Sequence, residues 1–395
     1  MTGGLSIREN KMKVSAKAKF LKRVIREAKP VAAKARVYAV RDKIAILVRG
    51  GQVEVFAANL DEVLTLWDVA GSVYNDDFEL VPAEEGFCVV SITDILPAKE
   101  FGNNADVLIE KDKDAIVFSS NGTIFKARAE DPTEYPDAEF LRTPDAERTD
   151  IDVCDVAPFK FVQLAESLDT TRIKFTGVSI EDGHAIATDG HRLHLCQVKT
   201  ATSVSFNGIL SPSIIGYIAS GHVGRLSEVR GGCTWHVVEG DGFSFRSKSI
   251  NGQFPDFRKV IPHYRDNEIC EIDGDALIKC IKPLFAGLKY APALGMYNAD
   301  NGTSFFAWGK VGKKSPQTEP RKGFLKDLRL PKLPIGIGLN PNFIIDALSA
   351  PVEGAVQLCA IDADSPVWIG DAERENGAVI MPIQLPVFGM PDDTE

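Results

Sequence analysis

At 395 residues the chain is too long for one ordinary hydrophobic core, so two or three domains are expected. Its composition, 44% hydrophobic and 25% charged, is typical of a soluble globular protein, and no apolar run approaches the ~18 residues that a membrane span needs. A net charge of −10 argues against a protein that coats nucleic acid with its whole surface, and seven scattered cysteines without a C-x-x-C pair indicate reduced thiols in a cytoplasm.

The first predicted element follows an N-terminal extension of residues 1–11. Within residues 15–29, apolar residues recur at the spacing of one helix face, from Leu21 to Ala28. A second row, offset by one residue, consists of Lys19, Lys22, Arg23 and Arg26. This helix therefore has a core face and a cationic face that could contact phosphates without reading sequence. A solvated surface helix is the alternative interpretation.

The helix-and-strand pattern recurs twice more along the chain. Helices are predicted around Phe161–Leu168 and Leu277–Leu288, where Lys279 and Lys282 add positive charge. Each unit also has a short helix opened by a capping residue, at Ser91, Ser211 and Asn340, followed by alternating strands. In each of the three units a proline follows the capping residue, at separations of 45, 44 and 42 residues. The pattern predicts an α+β fold of three similar domains, with helices on one face of antiparallel sheets.

Polar connectors place the domain boundaries. The predicted divisions are an extension (1–11), domain one (12–141), domain two (151–262), domain three (268–385) and a tail (386–395). Within domain three, Gly309–Lys332 is rich in Lys and Arg and is expected to be a long mobile loop.

The segment Ala187–Leu195 holds the densest group of functional side chains, reading Ala-Thr-Asp-Gly-His-Arg-Leu-His-Leu. With His184 nearby, His191 and His194 allow a metal-hydrolase hypothesis. Their spacing is wrong for a helical zinc motif, and on a strand these two histidines point to opposite faces. The flanking residues alternate as in a β-hairpin, which favours a tight turn. We expect no catalytic residues, no metal and no cofactor.

Several ordered motifs together resemble the bacterial β sliding clamp family, the processivity subunit of DNA polymerase III. They are Ala187–Leu193, Asn251–Pro262, Gly338–Leu348, Ser365–Ile369 and Val379–Leu385. The resemblance covers domains two and three well and domain one weakly. It implies the DNA clamp fold and a homodimer closed head to tail as a ring. Duplex DNA would pass through the ring without sequence specificity, in a cytoplasmic, nucleoid-associated protein that is not an enzyme.

The resemblance also implies a hydrophobic cleft between domains two and three. There, short linear peptides of the polymerase catalytic subunit, the clamp loader and repair proteins would bind. The positions that match the cleft are Phe175, Thr188, Gly190, His191, Arg192, Leu193, Pro255, Lys259, Val260, Asn340, Phe343, Pro366, Val379, Met381, Pro382 and Ile383. Phe125 would lie at the dimer interface opposite Phe285 and Leu288, although core packing explains all three equally well.

Departures from the family pattern mark a divergent member. Ile383 and Gln384 replace the usual Met and Arg of the last strand, and residues 386–395 continue beyond it, beginning beside the cleft. We expect the tail or these changes to alter partner preference. A clamp-fold decoy or resistance paralogue remains an alternative function that sequence does not separate from a working clamp.

Overall fold

The computed structural model describes residues 11–34, 40–74, 80–136, 138–141, 146–199, 204–315, 319–326, 328–330 and 336–385. Strands predominate in these residues, and only the first helix is long. The α-helices are α1 (Ala18–Ala33), α2 (Ala138–Leu141), α3 (Ala157–Val162), α4 (Pro212–Ala219), α5 (Gly274–Leu284) and α6 (Pro341–Ala347). Short 3-10 helices span Leu96–Glu100, Pro132–Glu134, Gln163–Ala165, Thr170–Phe175, Phe257–Val260 and Asp266–Glu268. None of the helices in the described ranges is long and apolar enough to cross a bilayer.

The strands are numbered along the chain. They are β1 (Lys11–Lys17), β2 (Lys43–Arg49), β3 (Gln52–Ala58), β4 (Glu62–Val69), β5 (Val73–Tyr74), β6 (Leu80–Val81), β7 (Gly86–Ser91), β8 (Asp106–Asp112), β9 (Ala115–Ser120), β10 (Thr123–Glu130), β11 (Glu147–Val153), β12 (Ser179–Glu181), β13 (His184–Thr188), β14 (Arg192–Gln197), β15 (Gly224–Arg230), β16 (Thr234–Gly240), β17 (Phe243–Lys248), β18 (Ile269–Ile272), β19 (Tyr290–Ala299), β20 (Gly302–Lys310), β21 (Arg321–Lys326), β22 (Ile337–Leu339), β23 (Val356–Cys359), β24 (Val367–Gly370) and β25 (Asn376–Ile380).

The first of two compact units comprises Met1–Asp152 and Val223–Lys248. Its twelve-stranded sheet has the order β1-β8-β9-β10-β7-β2-β3-β4-β17-β16-β15-β11. Helix α1 packs against β3 and β4 with Leu21, Val24, Ile25 and Ala28 buried, so the predicted core face is confirmed. Because β4 pairs antiparallel with β17, segments far apart in sequence share one continuous sheet.

The second unit comprises Val153–His222 and Ser249–Glu395. It contains a seven-stranded sheet, β12-β13-β14-β25-β24-β23-β18, and a four-stranded sheet, β21-β20-β19-β22. The antiparallel pairing of β14 with β25 puts Leu193 opposite Val379. Both side chains are buried with Trp368 and Phe257 in one hydrophobic cluster. This pairing brings together two of the motifs that the sequence singles out.

Three local expectations differ from the structure. The helix predicted at Ser91 is a turn, because the Ser91 hydroxyl accepts a hydrogen bond from the Thr93 N–H (3.3 Å) and competes with helix formation. The helix predicted through Leu168 ends earlier: α3 stops at Val162, and Leu168 is 97% exposed. The segment Gly309–Lys332, predicted as a long loop, contains strand β21, which pairs with β20.

The three-domain division stays a prediction. The extension (residues 1–11) lies outside the described residues apart from Lys11, and the tail (386–395) lies entirely outside them. The α+β class with antiparallel sheets is confirmed.

Candidate functional site

The turn between β13 and β14 is built by its own polar side chains. The Thr188 hydroxyl donates to the carbonyl of Arg192 (2.6 Å) and accepts from the N–H of Gly190 (3.1 Å). The Asp189 carboxylate accepts from the N–H of His191 (2.9 Å) and of Arg192 (3.0 Å). Gly190 has φ +90°, a conformation that few other residues adopt without strain. The acid and the glycine therefore shape the turn, and Asp189 is committed to structural hydrogen bonds.

Arg192 ties three segments of this unit together. Its Nε lies 3.1 Å from the Asp189 carboxylate, and its Nη1 lies 2.5 Å from the carboxylate of Asp346 on α6. Its Nη2 donates to the carbonyl of Leu164. The guanidinium also lies over the ring of Phe343, 4.3 Å from its centroid. Since the side chain is only 10% exposed, Arg192 stabilises the site more than it offers a free charge to a ligand.

The three histidines do not converge. His184 contacts Glu375, whereas His191 is exposed at the turn. His194 is fully buried; its Nδ1 is 2.9 Å from the carbonyl of Phe161, and desolvation lowers its pKa to about 4. Across the described ranges, no group of three His, Cys, Asp or Glu residues could hold a metal ion. Buried His194 is therefore a neutral packing residue that stacks on Phe161 (4.3 Å between centroids).

An apolar surface adjoins this turn. The Met381 N–H donates to the carbonyl of His191 (2.9 Å), which places the end of β25 directly beside the turn. Leu193 and Val379 are buried beneath this surface and pack on Phe257. Phe257 belongs to the 3-10 helix that also carries Lys259 and Val260. Met381 is 40% exposed and Val260 is 42% exposed, so apolar side chains remain open to solvent around a buried floor. We call this surface the cleft; it is defined by His191, Leu193, Val260, Phe343, Val379 and Met381.

The remaining predicted cleft residues all fall in the same unit. Asn340 caps α6 through its Oδ1, 3.0 Å from the N–H of Asn342, and so fixes Phe343. The Pro366 carbonyl accepts from the Tyr264 hydroxyl (2.8 Å). Half-buried members are Phe175, Pro255, Pro382 and Ile383. Their assignment to peptide binding remains a prediction.

Three residues of the site were not identified from the sequence. Arg172 donates to the carbonyl of Asp189 (3.2 Å) and lies 5.3 Å from the ring centroid of Phe175, so it connects that aromatic to the turn. Asp346 is the partner of Arg192 described above. Glu166, near the Leu164 carbonyl in sequence, has its pKa raised to about 8 by desolvation. No local motif signals Arg172 or Asp346, because each acts through a contact with a distant segment. Glu166 is set apart by its burial, which depends on the folded chain.

The cationic face of α1 is present but partly neutralised. Lys19 and Arg26 are exposed, while Arg23 and Arg26 both pair with Glu27, at 3.2 and 2.7 Å. Lys22 donates to the Asn103 side chain at 2.9 Å. In the other unit, Lys279 and Lys282 are both exposed on α5. The lysines of both helices are thus accessible to a polyanion, and Arg23 is the least available.

The candidate interface residues lie in different environments. Half-buried Phe125 stacks on Phe118, with centroids 4.9 Å apart. It belongs to β10, which pairs with β9 over residues 123–128 but with β7 only at Ala129 and Glu130. Phe285 ends α5 half-buried, and Leu288 is buried. The sequence did not point to Ile124 on β10 or Phe324 on the edge strand β21, which are 64% and 51% exposed.

Comparison with known proteins gives a consistent answer. No family model matches the chain. The β sliding clamp of Escherichia coli K12 is 27% identical over 213 residues, which cover 52% of this chain and 55% of that protein. The chain spans about half the length of the first curated relatives it matches. The β sliding clamp of Pseudomonas putida is 21% identical over 373 residues, or 88% of this chain and 92% of that protein.

Solved structures agree over nearly the whole chain. The Helicobacter pylori β clamp in complex with diflunisal has a TM-score of 0.78 at 18% identity, covering 95% of this chain and 100% of that one. The same clamp bound to a DNA ligase peptide has a TM-score of 0.76 at 19% identity, covering 94% and 99%. The chain is similar in sequence to β sliding clamps at low identity. The clamp fold that the resemblance implied is confirmed.

Proposed function

We propose that this chain is a DNA sliding clamp that tethers its partners through the cleft. The observation that carries the proposal is the β14–β25 pairing, which joins the Thr188–Leu193 turn to Met381 and leaves an apolar surface above a buried floor. Such surfaces suit the apolar side chains of short linear peptides. The Helicobacter pylori β clamp, which has a similar fold, has been solved bound to a DNA ligase peptide. Polymerase, clamp loader and repair proteins are the proposed partners.

The polar residues of the site support a non-catalytic role. Asp189, Thr188 and Arg192 are committed to shaping the turn, and His194 is buried and neutral. None of these groups is aimed at a shared point where a substrate atom could react. Together with the similarity to bacterial β sliding clamps, this supports the proposal of a processivity factor without cofactor or metal, located in the cytoplasm with the nucleoid.

Duplex DNA is the proposed polyanion for the lysines of α1 and α5. A clamp that slides must attract phosphates without fixing a register, and lysines contact phosphates independently of sequence. Lys19, Lys22, Lys279 and Lys282 are the best placed of the predicted residues, with Arg26 and then Arg23 contributing less because of Glu27.

Closure into a homodimeric ring is proposed through Phe125, Phe285 and Leu288, together with the three-domain division of each chain. Strand β10 has a mostly unpaired edge within the described ranges, and β21 ends its sheet. Each exposes an apolar side chain, Ile124 or Phe324. Pairing of such edges between copies would remove a surface that otherwise invites aggregation.

The test is loading onto nicked circular DNA by the cognate clamp loader. We expect the chain to stay bound at high salt on circles and to be released when the circle is linearised. Mass measurement should give a dimer near twice 43.0 kDa. Retention on linear DNA, absence of loading, or a stable monomer at micromolar concentration would contradict the proposal; absence of loading with intact peptide binding would instead favour a clamp-fold decoy.

A further inference from the structure

We propose that closure of the ring between two copies of this chain is opposed by like charge and becomes tighter as salt is added. This inference rests on the proposed ring and concerns what controls its closure, which the proposed function leaves open. The two strand edges that would meet between copies, β10 and β21, repel each other until dissolved ions screen their charges.

The exposed row of side chains on β10 is basic. It consists of Ile124, Lys126 and Arg128, which are all exposed. Because side chains alternate along a strand, Phe125 points to the opposite face, where it stacks on buried Phe118. The strand therefore has one buried face and one exposed face, and the exposed face carries two positive charges beside one apolar side chain.

The neighbouring strand does not neutralise these two cations. In the pairing of β10 with β9, Lys126 is opposite Val117 and Arg128 is opposite Ala115. The carboxylates on the same face belong to β8, two strands and about 10 Å away, and they are Glu110 and Asp112. Glu110 already lies 3.9 Å from a lysine of β1. The positive charge of β10 is thus concentrated at its edge.

The exposed row on β21 has the same character. It consists of Lys322, Phe324 and Lys326, which are exposed, and the residues between them are half-buried. Gly323 faces α5, because an added Cβ there would come within 3.0 Å of Leu284. Strand β21 therefore also has its buried face toward the interior and two positive charges beside an apolar side chain on the other face.

These two lysines also lack a carboxylate partner. Lys322 is opposite Phe306 on β20, with its Nζ 5.6 Å from the ring centroid, and Lys326 is opposite Gly302. Among the residues that the structure describes, none of the ion pairs includes a cation of either row. The surrounding segment Gly309–Lys332 holds eight Lys or Arg residues against two carboxylates in sequence.

Joining the two edges would bring the two basic rows together. If the buried faces of both sheets are continuous, the exposed rows lie across from one another on the same face of the joined sheet. Opposite charges across a strand pair stabilise it, whereas like charges directly opposite destabilise it. Ile124 and Phe324 supply apolar contact, but neither exposed row contains a carboxylate. The apolar contribution therefore favours closure, and the electrostatic contribution of the edges opposes it.

Salt changes this balance in a direction that can be measured. The Debye length falls from about 10 Å at 0.1 M salt to about 3 Å at 1 M, which removes most of the repulsion between facing cations. An interface held by opposite charges would instead weaken over the same range. The net charge of −10 also repels a second copy, so the contribution of the edges has to be separated from that of the whole chain.

The first measurement is the dissociation constant of the dimer, obtained for the full-length chain without DNA by sedimentation equilibrium. Sodium chloride is set at about 0.1 M and at about 1 M, the two ends of the screening range. We expect wild type to associate at least about tenfold more tightly at the higher concentration. Weaker association at the higher concentration would overturn the inference.

Charge reversal on one edge tests where the repulsion arises. In Lys322→Glu/Lys326→Glu an acidic row faces the basic row of β10. We expect association at least about tenfold tighter than wild type at about 0.1 M salt, and weakening as salt is added. Adding Lys126→Glu/Arg128→Glu makes both rows acidic and should restore the wild-type direction of the salt dependence. If the acidic side chains disturb the fold of β21, Lys322→Gln/Lys326→Gln should give the same tightening to a smaller extent.

The control variant is Arg49→Glu/Lys160→Glu. Both residues are exposed, one on β2 and one on α3, and neither belongs to the two edges. The control makes the same change in net charge as the reversal on β21, but it should not tighten association at about 0.1 M salt. Equal tightening in the two variants would show that the charges of the edges are not the cause.

The outcomes separate this inference from the ring itself. If wild type dimerises equally well at both salt concentrations, the ring stands and the inference is wrong. If wild type is monomeric at both but the reversal on β21 dimerises at about 0.1 M salt, the repulsion between edges is supported. If neither protein dimerises under either condition, the proposed ring is wrong and the inference is wrong with it. Binding of a polymerase peptide reports the cleft separately.

Discussion

The cleft and the cationic face of α1 are the two candidate binding regions, and they are built in opposite ways. In the cleft, Arg192 is held by two carboxylates and a carbonyl, and the apolar floor is fully buried. On α1, Lys19 is exposed and Lys22 is half-buried, while Glu27 pairs with both Arg23 and Arg26. A rigid apolar site suits a defined partner, whereas a loose cationic face suits a polymer that must move past it. Single substitutions should therefore act strongly in the cleft and weakly on the helix.

The largest effect is expected from Arg192→Ala. The change leaves the carboxylates of Asp189 and Asp346 without their partner in a site that is largely shielded from water. We expect a loss of roughly 2–4 kcal/mol in the free energy of unfolding of the second unit, measured by urea denaturation.

Arg258→Ala is the matched control, because Arg258 also pairs with two carboxylates, those of Glu181 and Asp182, but is 48% exposed. It should cost less than about 1 kcal/mol. Equal effects of the two substitutions would show that Arg192 is no more structural than a surface arginine.

The next effect concerns the open apolar wall of the cleft. Met381→Asp puts a charge where a partner's apolar side chain would be desolvated, so we expect at least about 30-fold weaker binding of a labelled polymerase peptide, or ~2 kcal/mol. Because Met381 is 40% exposed, the melting temperature should hardly change. Val69→Asp is the control, and a similar loss of affinity there would remove the argument for the cleft.

A smaller effect tests whether the carboxyl of Glu166 is shielded from water. Burial raises the pKa of Glu166 from 4.5 to about 8, so the folded chain holds a proton that the unfolded chain releases. Stability from this group is present below about pH 4.5 and is lost as pH rises toward 8. Glu166→Gln should therefore gain about 1–2 kcal/mol relative to wild type between pH 5 and pH 8.

His194 gives the free energy of unfolding the opposite dependence on pH, and it is the internal reference for that measurement. Its pKa is lowered from 6.5 to about 4, so the unfolded chain binds the proton first as pH falls. Stability is lost between about pH 6.5 and 4 in wild type and in Glu166→Gln alike. If the difference in the free energy of unfolding between wild type and Glu166→Gln does not change from pH 5 to 8, Glu166 is solvated.

The smallest effect is expected on α1. Lys22→Ala should weaken binding to short duplex DNA only a few-fold and reduce the slope of log affinity against log salt by about 0.9 or less. Arg23→Ala should do less, because Arg23 pairs with Glu27. Arg49→Ala, at an exposed strand end of the same unit, is the charge-matched control. If Arg49→Ala changes the salt slope as much as Lys22→Ala, attraction to DNA is not concentrated on α1.

Local patterns predicted the elements, and long-range pairing decided how they combine. The spacing of Leu21 to Ala28 was enough to place the buried face of α1, because a helix face depends on neighbours three and four residues away. The helix pattern through Leu168 failed, since the Ser167 N–H instead donates to the carbonyl of Phe175 (2.8 Å). Strand β21 was missed because its partner β20, not its own composition, makes it a strand.

The resemblance predicted which residues form the cleft, but it did not predict the contacts that hold them in place. Asp189 and Gly190 read correctly as turn formers from their chemistry. The role of Arg192 depends on Asp346, which lies 154 residues away. No spacing rule in a single sequence reports a contact of that kind.

The pairing of β14 with β25 also constrains when the cleft can exist during synthesis. Leu193 and Val379 are 186 residues apart, from 379 − 193. At roughly 5–20 residues per second, the second strand leaves the ribosome about 10–40 seconds after the first. During that interval the edge of β14 lacks the strand that covers it in the folded chain. The cleft is therefore complete only after the chain has been made through Met381.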